Sequence, residues 1–435
     1  MNYSEIIKNI ENREGKRKSY DFKRMRYLLG ILNNPHIGLK YLHIAGTNGK
    51  GSTSSFIYNI LKSGDYKVGL YTSPHLERYT ERIIINGREI SEDDFVRLSE
   101  KVIKAEQEII SEFEMLTYFE FITAVGFLYF KENNCDYCVL EVGMGGLSDS
   151  TNVIETKDKI LSVITPISMD HMQYLGDTIE EITNQKVGII GEGVLCTSSN
   201  RNSHIEGIVA KKAKEKNAPF YDLNDIEIEN LEIDDRHTKF DVLFKDEKIE
   251  NLKTNMIGYY QLDNAAVSIL SILELRNRGL LNISNDSIRD GLLNTNWPGR
   301  MERISENPTV ILDGAHNFDG ILKLTESLKL FKYNKLTIIT SILDDKEHEK
   351  MLHEFAKYSN EIIIVDLSTN RKTNLNTLKN EATKYSSNVL IINNLEEAIE
   401  IAVKGSSKDD LIVIAGSLYL VSETKELINS VLKKA

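Results

Sequence analysis

Apolar residues in this chain fall in short runs rich in β-branched side chains, and between those runs they recur at helical spacing. The stretches at 41–45, 67–71, 137–141 and 160–165 are almost continuously apolar, the pattern of parallel strands covered on both faces. After the first run, Phe56, Ile57, Ile60 and Leu61 line one side of a helix. Strand and helix in alternation predict an α/β domain with a mostly parallel sheet. Between 220 and 260 the period changes. Ile226, Glu227, Ile228 and Glu229 alternate, and Phe240 to Phe244 follow a polar turn, which predicts a small antiparallel sheet with a solvated acidic face. A second, smaller Rossmann-like α/β series begins after the sequence NTNWPG at 294–299, with strands expected at 310–313, 336–340, 362–366, 389–392 and 411–415. The Pro-Gly segment is the expected boundary between a domain at 1–295 and one at 296–435, with a cleft between them as the place for a two-substrate reaction.

Length and charge narrow the picture. The 435 residues suit two domains, and 41% hydrophobic with 27% charged residues is ordinary globular composition. A net charge of −12 argues against a general nucleic-acid or membrane-surface binder, since both partners are polyanions. Three cysteines, at 135, 138 and 196, cannot staple a chain of this size, so a reducing, cytoplasmic setting is expected. The CxxC pair at 135–138 has no second pair to complete a zinc site and reads as buried thiols. The first residues lack a signal-type apolar core, and the apolar-looking run 121–130 is about half a membrane span. Lys16, Arg17 and Lys18 with Lys23, Arg24 and Arg26 read as a solvated helix face.

The strongest chemical signal is HIAGTNGKGST at 43–53, which follows a strand and opens a helix. Glycines let such a loop turn tightly, so that backbone N–H groups and the helix N-terminus meet a phosphate. Thr47, Asn48, Gly49, Lys50, Gly51 and Ser52 are therefore the expected nucleotide contacts, with Lys50 neutralising terminal phosphates. The run departs from the common P-loop pattern: the leading glycine would fall at Ile44, and Gly51 stands where Ser or Thr is usual.

GTNGKGS resembles the Mur ligase superfamily of ATP-dependent amide ligases. YTSPHL at 71–76, RYTERI at 78–83, LTYFE at 116–120, LEVGMGG at 140–146 and DSTN at 149–152 are similar to the folylpolyglutamate synthase / dihydrofolate synthase family. So are MDH at 169–171, QKVGI at 185–189, NAA at 264–266, PGR at 298–300 and DGAHN at 313–317. The resemblance implies a ligase using ATP and Mg²⁺ to add L-glutamate to a folate, with Lys50, Lys186 and His316 as catalytic residues. It places Ser73 and Glu141 near one Mg²⁺ and His171 near a second. Lys186 is implied to be carbamylated, although composition alone says exposed lysine. Arg300 is implied to contact phosphate, with an inter-domain ion pair as the alternative, and Asn264 and Asp313 to contact the nucleotide. His316 and Ser417 would meet the incoming glutamate or the nucleotide, and Arg82 a substrate carboxylate. Thr117, Phe119, Asp149 and Ser150 fall where the family binds the pterin–benzoate part. Leu147-Ser148 stands where many relatives carry Arg and an apolar residue, which leaves use of dihydropteroate open. A muramyl ligase would carry another domain before the loop, where this chain has about 40 residues, fewer than a stable domain usually needs. A P-loop switch without ligation is the reading of another class. A monomer is expected.

Overall fold

The computed structural model describes residues 1–13 and 22–434, so Lys16, Arg17 and Lys18 lie outside the described residues. Two compact units emerge. The first comprises 1–230, 240–253 and 263–295; the second comprises 231–239, 254–262 and 296–435. A single cut after Thr295 therefore does not separate them, because two short stretches near the small sheet group with the second unit. No helix among the described residues is long and apolar enough to cross a membrane.

The first unit is built on eight strands: β1 (Lys40–Ala45), β2 (Val68–Tyr71), β3 (Ile83–Ile85), β4 (Arg88–Glu89), β5 (Tyr137–Glu141), β6 (Lys159–Ile164), β7 (Leu195–Ser198) and β8 (Phe220–Asp222). Their order in the sheet is β4-β3-β2-β5-β1-β6-β7-β8. All neighbours run parallel except β2 with β3 and β3 with β4. The continuous apolar runs are explained by burial on both faces. Tyr41, Tyr71, Cys138 and Leu140 pack with Phe121, Val125 and the amino-terminal helices. Ala45, Ile164 and Cys196, on the same face by register, pack with Val187, Ile205 and Val209, and Leu42, Ile44, Val139, Leu161 and Val163 of the opposite face are buried as well. All three cysteines are free and buried. The predicted strand at 160–165 sits one residue earlier, which makes Lys159 a strand residue.

The predicted small sheet comprises β9 (Glu227–Ile233), β10 (Thr238–Phe244) and β11 (Glu247–Thr254), in the order β11-β10-β9. Its first strand buries none of its residues, whereas Phe240, Val242 and Phe244 of the second are buried. The second unit carries a six-stranded sheet of β12 (Glu302–Glu306), β13 (Thr309–Asp313), β14 (Leu336–Thr340), β15 (Glu361–Val365), β16 (Val389–Ile392) and β17 (Leu411–Ala415). The order is β12-β13-β17-β14-β15-β16, with only β12 antiparallel to its neighbour. The last strand in the chain is thus inserted between β13 and β14, as in doubly wound α/β folds.

One expectation is corrected within the first unit. Arg24 does not lie on a solvated helix face: its Nη2 donates to Glu120 Oε2 at 2.6 Å, with side chains 11% and 4% exposed. Glu120 Oε2 also accepts from Thr117 N and Thr117 Oγ1, both at 2.9 Å, closing a capping box that starts the helix Tyr118–Glu132. Removing one partner of a buried pair strands the other charge. The Glu120→Ala variant is expected to lose about 3–5 kcal/mol of stability in urea unfolding, while substituting exposed Glu100 should leave the midpoint unchanged.

Candidate active site

The site loops of the first unit leave the carboxyl ends of β1, β5 and β6. Beyond Ala45 the chain turns through Gly46 to Gly49 into the helix Lys50–Ser63. Gly46 has no room for a side chain, since a Cβ there would lie 1.9 Å from Thr165 Oγ1. Gly49 is the helix N-cap in the left-handed region, φ +82°, and a Cβ would meet Asn264 Oδ1 at 2.5 Å. Two constraints therefore demand glycine at position 49. Asn264 is buried beneath the loop and accepts from Thr53 Oγ1 at 3.4 Å.

The loop differs from the expected cradle in one respect. The N–H groups of Thr47 and Asn48 both donate to the Pro166 carbonyl, at 2.9 and 3.1 Å. Thr47 Oγ1 donates to Ser168 O and accepts from Ser168 N, each at 3.1 Å. These residues tie the loop to the turn after β6 rather than presenting amides to an anion. The N–H groups that geometry leaves for phosphate are those of the first helical turn, Lys50 and Gly51 among them, which have no carbonyl four residues back within the helix. Lys50 Nζ rests on Thr47 O at 3.3 Å.

Lys186 is buried, and not the exposed lysine that composition suggests. Its Nζ donates to Gly46 O at 2.8 Å. Burial first, and then the positive charge of Lys50, bring its pKa down to about 7. At that pKa about half of the amine is neutral near pH 7, and the neutral form is the one that nucleophilic addition to CO₂ requires. Lys159, which in the sequence merely flanks an apolar run, is a second buried lysine. Burial brings it to about 7 as well. Its Nζ donates to Ile189 O at 2.6 Å and Asn152 Oδ1 at 3.0 Å. Asn152 in turn donates to Gly188 O at 3.2 Å. Lys159 thereby ties the segment after Asp149 to the one after Lys186.

Glu141 ends β5, buried at 4% exposure, and its Oε2 accepts from Ser73 N at 3.0 Å. A carboxylate and a neighbouring serine supply the hard oxygen donors that Mg²⁺ takes, typically alongside phosphate and water. Among the described residues no three His, Cys, Asp or Glu form a metal-ligand group. His171 fits less well: it sits at φ +51° with Nε2 3.9 Å from Asp170 Oδ2, and imidazole is a soft partner for Mg²⁺. The carboxylate at that turn is that of Asp170, whose Oδ1 accepts from His171 N at 2.8 Å.

The other expected substrate contacts already have neighbours within the fold. Asp149 Oδ2 accepts from Met144 N at 3.0 Å, and its Oδ1 from Thr151 N at 3.0 Å and Thr151 Oγ1 at 2.6 Å. Thr151 Oγ1 also meets Nε2 of fully buried His43 at 2.8 Å. Ser150 is buried beside it. Thr117 is the cap described above. Phe119 is half-buried and covers Gly143, where a Cβ would lie 2.4 Å from its ring. Arg82 is buried, with Nε donating to His75 Nδ1 at 2.7 Å.

In the second unit, Asp313 closes β13. Its Oδ2 accepts from Met301 N at 2.8 Å and Tyr260 Oη at 3.3 Å, and its Oδ1 from Ala315 N at 2.8 Å. Burial raises its pKa, opposed by Arg300. The carboxylate shapes the loop that carries Arg300, whose Nη1 lies over Gly314. His316 Nδ1 is 2.8 Å from Gly314 O. Ser417 is fully buried, and its Oγ accepts from Tyr419 N at 3.1 Å at the start of the final helix.

The two buried lysines make stability depend on pH with a definite sign. Between about pH 7 and 10.5 the unfolded chain binds more protons at these positions than the folded one, so their contribution to stability rises with pH there and is lost as pH falls toward 7. Urea midpoints measured from pH 7 to 10 should show this rise, and Lys159→Met should remove part of it. An unchanged slope in the variant would show Lys159 to be charged in the fold.

Comparison with known proteins bears on this geometry. Residues 44–272 match the model of the Mur ligase middle domain, and residues 299–418 that of the Mur ligase glutamate ligase domain. The chain is 35% identical over 408 residues to the dihydrofolate synthase/folylpolyglutamate synthase of Bacillus subtilis, covering 93% of this chain and 94% of that one. It is 32% identical to the folylpolyglutamate synthase of Lacticaseibacillus casei, covering 98% and 99%. Among solved structures, the Thermotoga maritima folylpolyglutamate synthase superposes with a TM-score of 0.84 at 34% identity, covering 98% and 97%. A folylpolyglutamate synthase complexed with AMPPCP and folate reaches 0.87 at 32%, covering 98% and 100%. The chain belongs to the folylpolyglutamate synthase / dihydrofolate synthase family of the Mur ligases.

Proposed function

We infer that this chain is an ATP-dependent ligase that joins L-glutamate to the γ-carboxylate of a folate. The observation that carries the reading is likeness over nearly its whole length to folylpolyglutamate synthases, one of them solved with an ATP analogue and folate together. A γ-carboxylate oxygen attacks the terminal phosphorus of ATP, and ADP leaves. The α-amine of glutamate then attacks the acyl carbon, loses a proton, and the C–O bond to phosphate breaks.

The chain's own residues divide these tasks. Lys50 and the first-turn amides of its helix offset charge on the transferring phosphoryl group. Thr47, Asn48, Gly49, Gly51 and Ser52 shape that loop, and Asn264 supports it from below. Ser73 and Glu141 would hold Mg²⁺, which when bound neutralises phosphate charge; Asp170 beside His171 is the better oxygen donor for a second cation. Lys186 is proposed to take up CO₂: its neutral Nζ forms the N–C bond, a proton leaves, and an anion results beside the loop. Arg300 is proposed as a phosphate contact, with Asp313 positioning it, and His316 as the residue facing glutamate. Phe119 offers an aromatic surface for the pterin–benzoate part, over a loop that Asp149 and Ser150 hold. The protein is proposed to act as a cytoplasmic monomer in which its three thiols stay reduced.

The bifunctional reading is favoured by the Bacillus subtilis relative, whose name carries both activities. Purified protein given ATP, Mg²⁺ and glutamate with either tetrahydrofolate or dihydropteroate is expected to yield the glutamylated folate by mass, with ADP release that requires both substrates. ADP without a new amide would overturn the ligase reading in favour of an ATPase switch. Lys186→Ala should lower turnover about a hundredfold or more and regain part of it with added short carboxylates; an unimpaired variant would remove Lys186 from the chemistry.

A further inference from the structure

His43 lies in the middle of β1 and is fully buried. Its Nε2 is 2.8 Å from Thr151 Oγ1, and that hydroxyl is 2.6 Å from Asp149 Oδ1. A carboxylate has no hydrogen to give, so the single hydrogen of the hydroxyl points to Asp149. Thr151 Oγ1 then accepts from His43, which assigns the neutral imidazole its hydrogen on Nε2. Burial, and then the charge of Lys159, hold His43 well below the usual histidine range, in agreement with a neutral ring. The other nitrogen, Nδ1, is buried and has no hydrogen-bond partner. A core imidazole with one unpaired nitrogen costs stability that an aliphatic side chain would not, so packing does not explain its place in β1.

The relay from His43 ends on a loop that one carboxylate closes. Asp149 Oδ2 accepts from Met144 N at 3.0 Å, and Oδ1 from Thr151 N at 3.0 Å. Two backbone donors fix where that carboxylate sits; the hydroxyl, itself held by His43, fixes how it is turned. The loop in turn packs on the segment that carries Lys186. A Cβ on Gly146 would lie 2.9 Å from both Gln185 O and Lys186 O, and Leu147 N donates to Gln185 O at 2.7 Å. Phe119 covers the loop's start at Gly143. The nucleotide loop is held from elsewhere, by Pro166 O and by Ser168.

We propose that His43 is a positioning residue: acting through Thr151 on Asp149, it sets the 144–151 loop to receive the pteridine substrate and leaves ATP binding unaffected. This deepens the folate-ligase reading and rests on it. Without the imidazole N–H, the Thr151 oxygen becomes a buried acceptor left unpaired, and the side chain relieves that by turning away from Asp149.

The test is steady-state kinetics of the full-length protein with ATP, Mg²⁺ and glutamate. The varied substrate is whichever pteridine the wild-type protein uses, tetrahydrofolate or dihydropteroate. His43→Leu is expected to raise KM for the pteridine about tenfold, with KM for ATP and kcat changing less than about twofold. Thr151→Val, which removes the hydroxyl and keeps the shape, should give the same rise, and the double variant no more than either alone. His43→Gln, whose amide nitrogen falls where Nε2 lies, should restore the wild-type KM. His43→Asn, one bond shorter, should not, and failure of Gln to differ from Asn would overturn the proposal. Equal rises in KM for the pteridine and for ATP would overturn it in favour of a general structural role, as would a double variant whose effects add. Thr151→Val with an unchanged KM would overturn it even where a variant at position 43 does not fold. If the wild-type protein glutamylates neither pteridine, the folate reading falls, and this inference with it.

Discussion

The hydrogen-bond register of three adjacent parallel strands governs everything at the nucleotide end of the first unit. β1 lies between β5 and β6, with Ile44 opposite Glu141 and Ala45 opposite Ile164. A parallel ladder ends its strands side by side and on one edge. The loop after Ala45, the Glu141 carboxylate and the turn at Pro166 therefore start level with one another. Their contacts follow from that alignment: Pro166 O takes the two loop amides, and Gly46 lies against Thr165 so closely that no side chain fits. Since side chains alternate along a strand, a one-residue slip would turn Glu141 toward the opposite face and carry the Pro166 carbonyl away from the loop.

On that frame, burial does the electrostatic work. Lys186 and Lys159 lie at about the same pKa for the same first reason, yet their surroundings differ. Lys186 reaches one carbonyl, that of Gly46, and feels the charge of Lys50. Lys159 reaches a carbonyl and an amide oxygen that belong to two segments. The first lies against the loop, where we propose that it acts; the second holds together the two segments that follow Asp149 and Lys186. Similar desolvation thus places one amine at the loop and makes the other a rivet, and the acceptors distinguish them.

The strands and the nucleotide loop were legible in the sequence because burial on both faces of a parallel sheet leaves continuous apolar runs. The roles of individual polar residues were not, and the reason is physical. Asp149, Asp313, Thr117 and Ser417 sit in loops of the kind that bind ligands, yet their oxygens accept N–H groups of their own turns. A residue that satisfies a backbone donor and one that meets a substrate draw on the same short list of side chains. In the sequence Arg24 looks as solvated as its neighbours, because its partner, Glu120, is 96 residues away. Lys159 flanks an apolar run, the position where an exposed lysine is ordinary. The spacing in LTYFE at 116–120 did contain a usable signal: a threonine three residues before a glutamate is a capping box.

The net charge of −12 acquires meaning from this placement. ATP, folates and glutamate are all anions, so the average field of the protein repels its own substrates and long-range attraction cannot bring them in. Specific cations must then act at contact distance, where screening is weak and desolvation strengthens them. Lys50 stands at the first turn of a helix and Arg82 between two aromatic rings, while Arg300 follows the Pro-Gly turn of the second unit. Arg82 is buried, and Lys50 and Arg300 are half-buried. A surface cation would lend its charge to any polyanion, whereas one sunk in a turn answers only to a ligand shaped to reach it. An acidic exterior with recessed cations thus selects small anions over large ones.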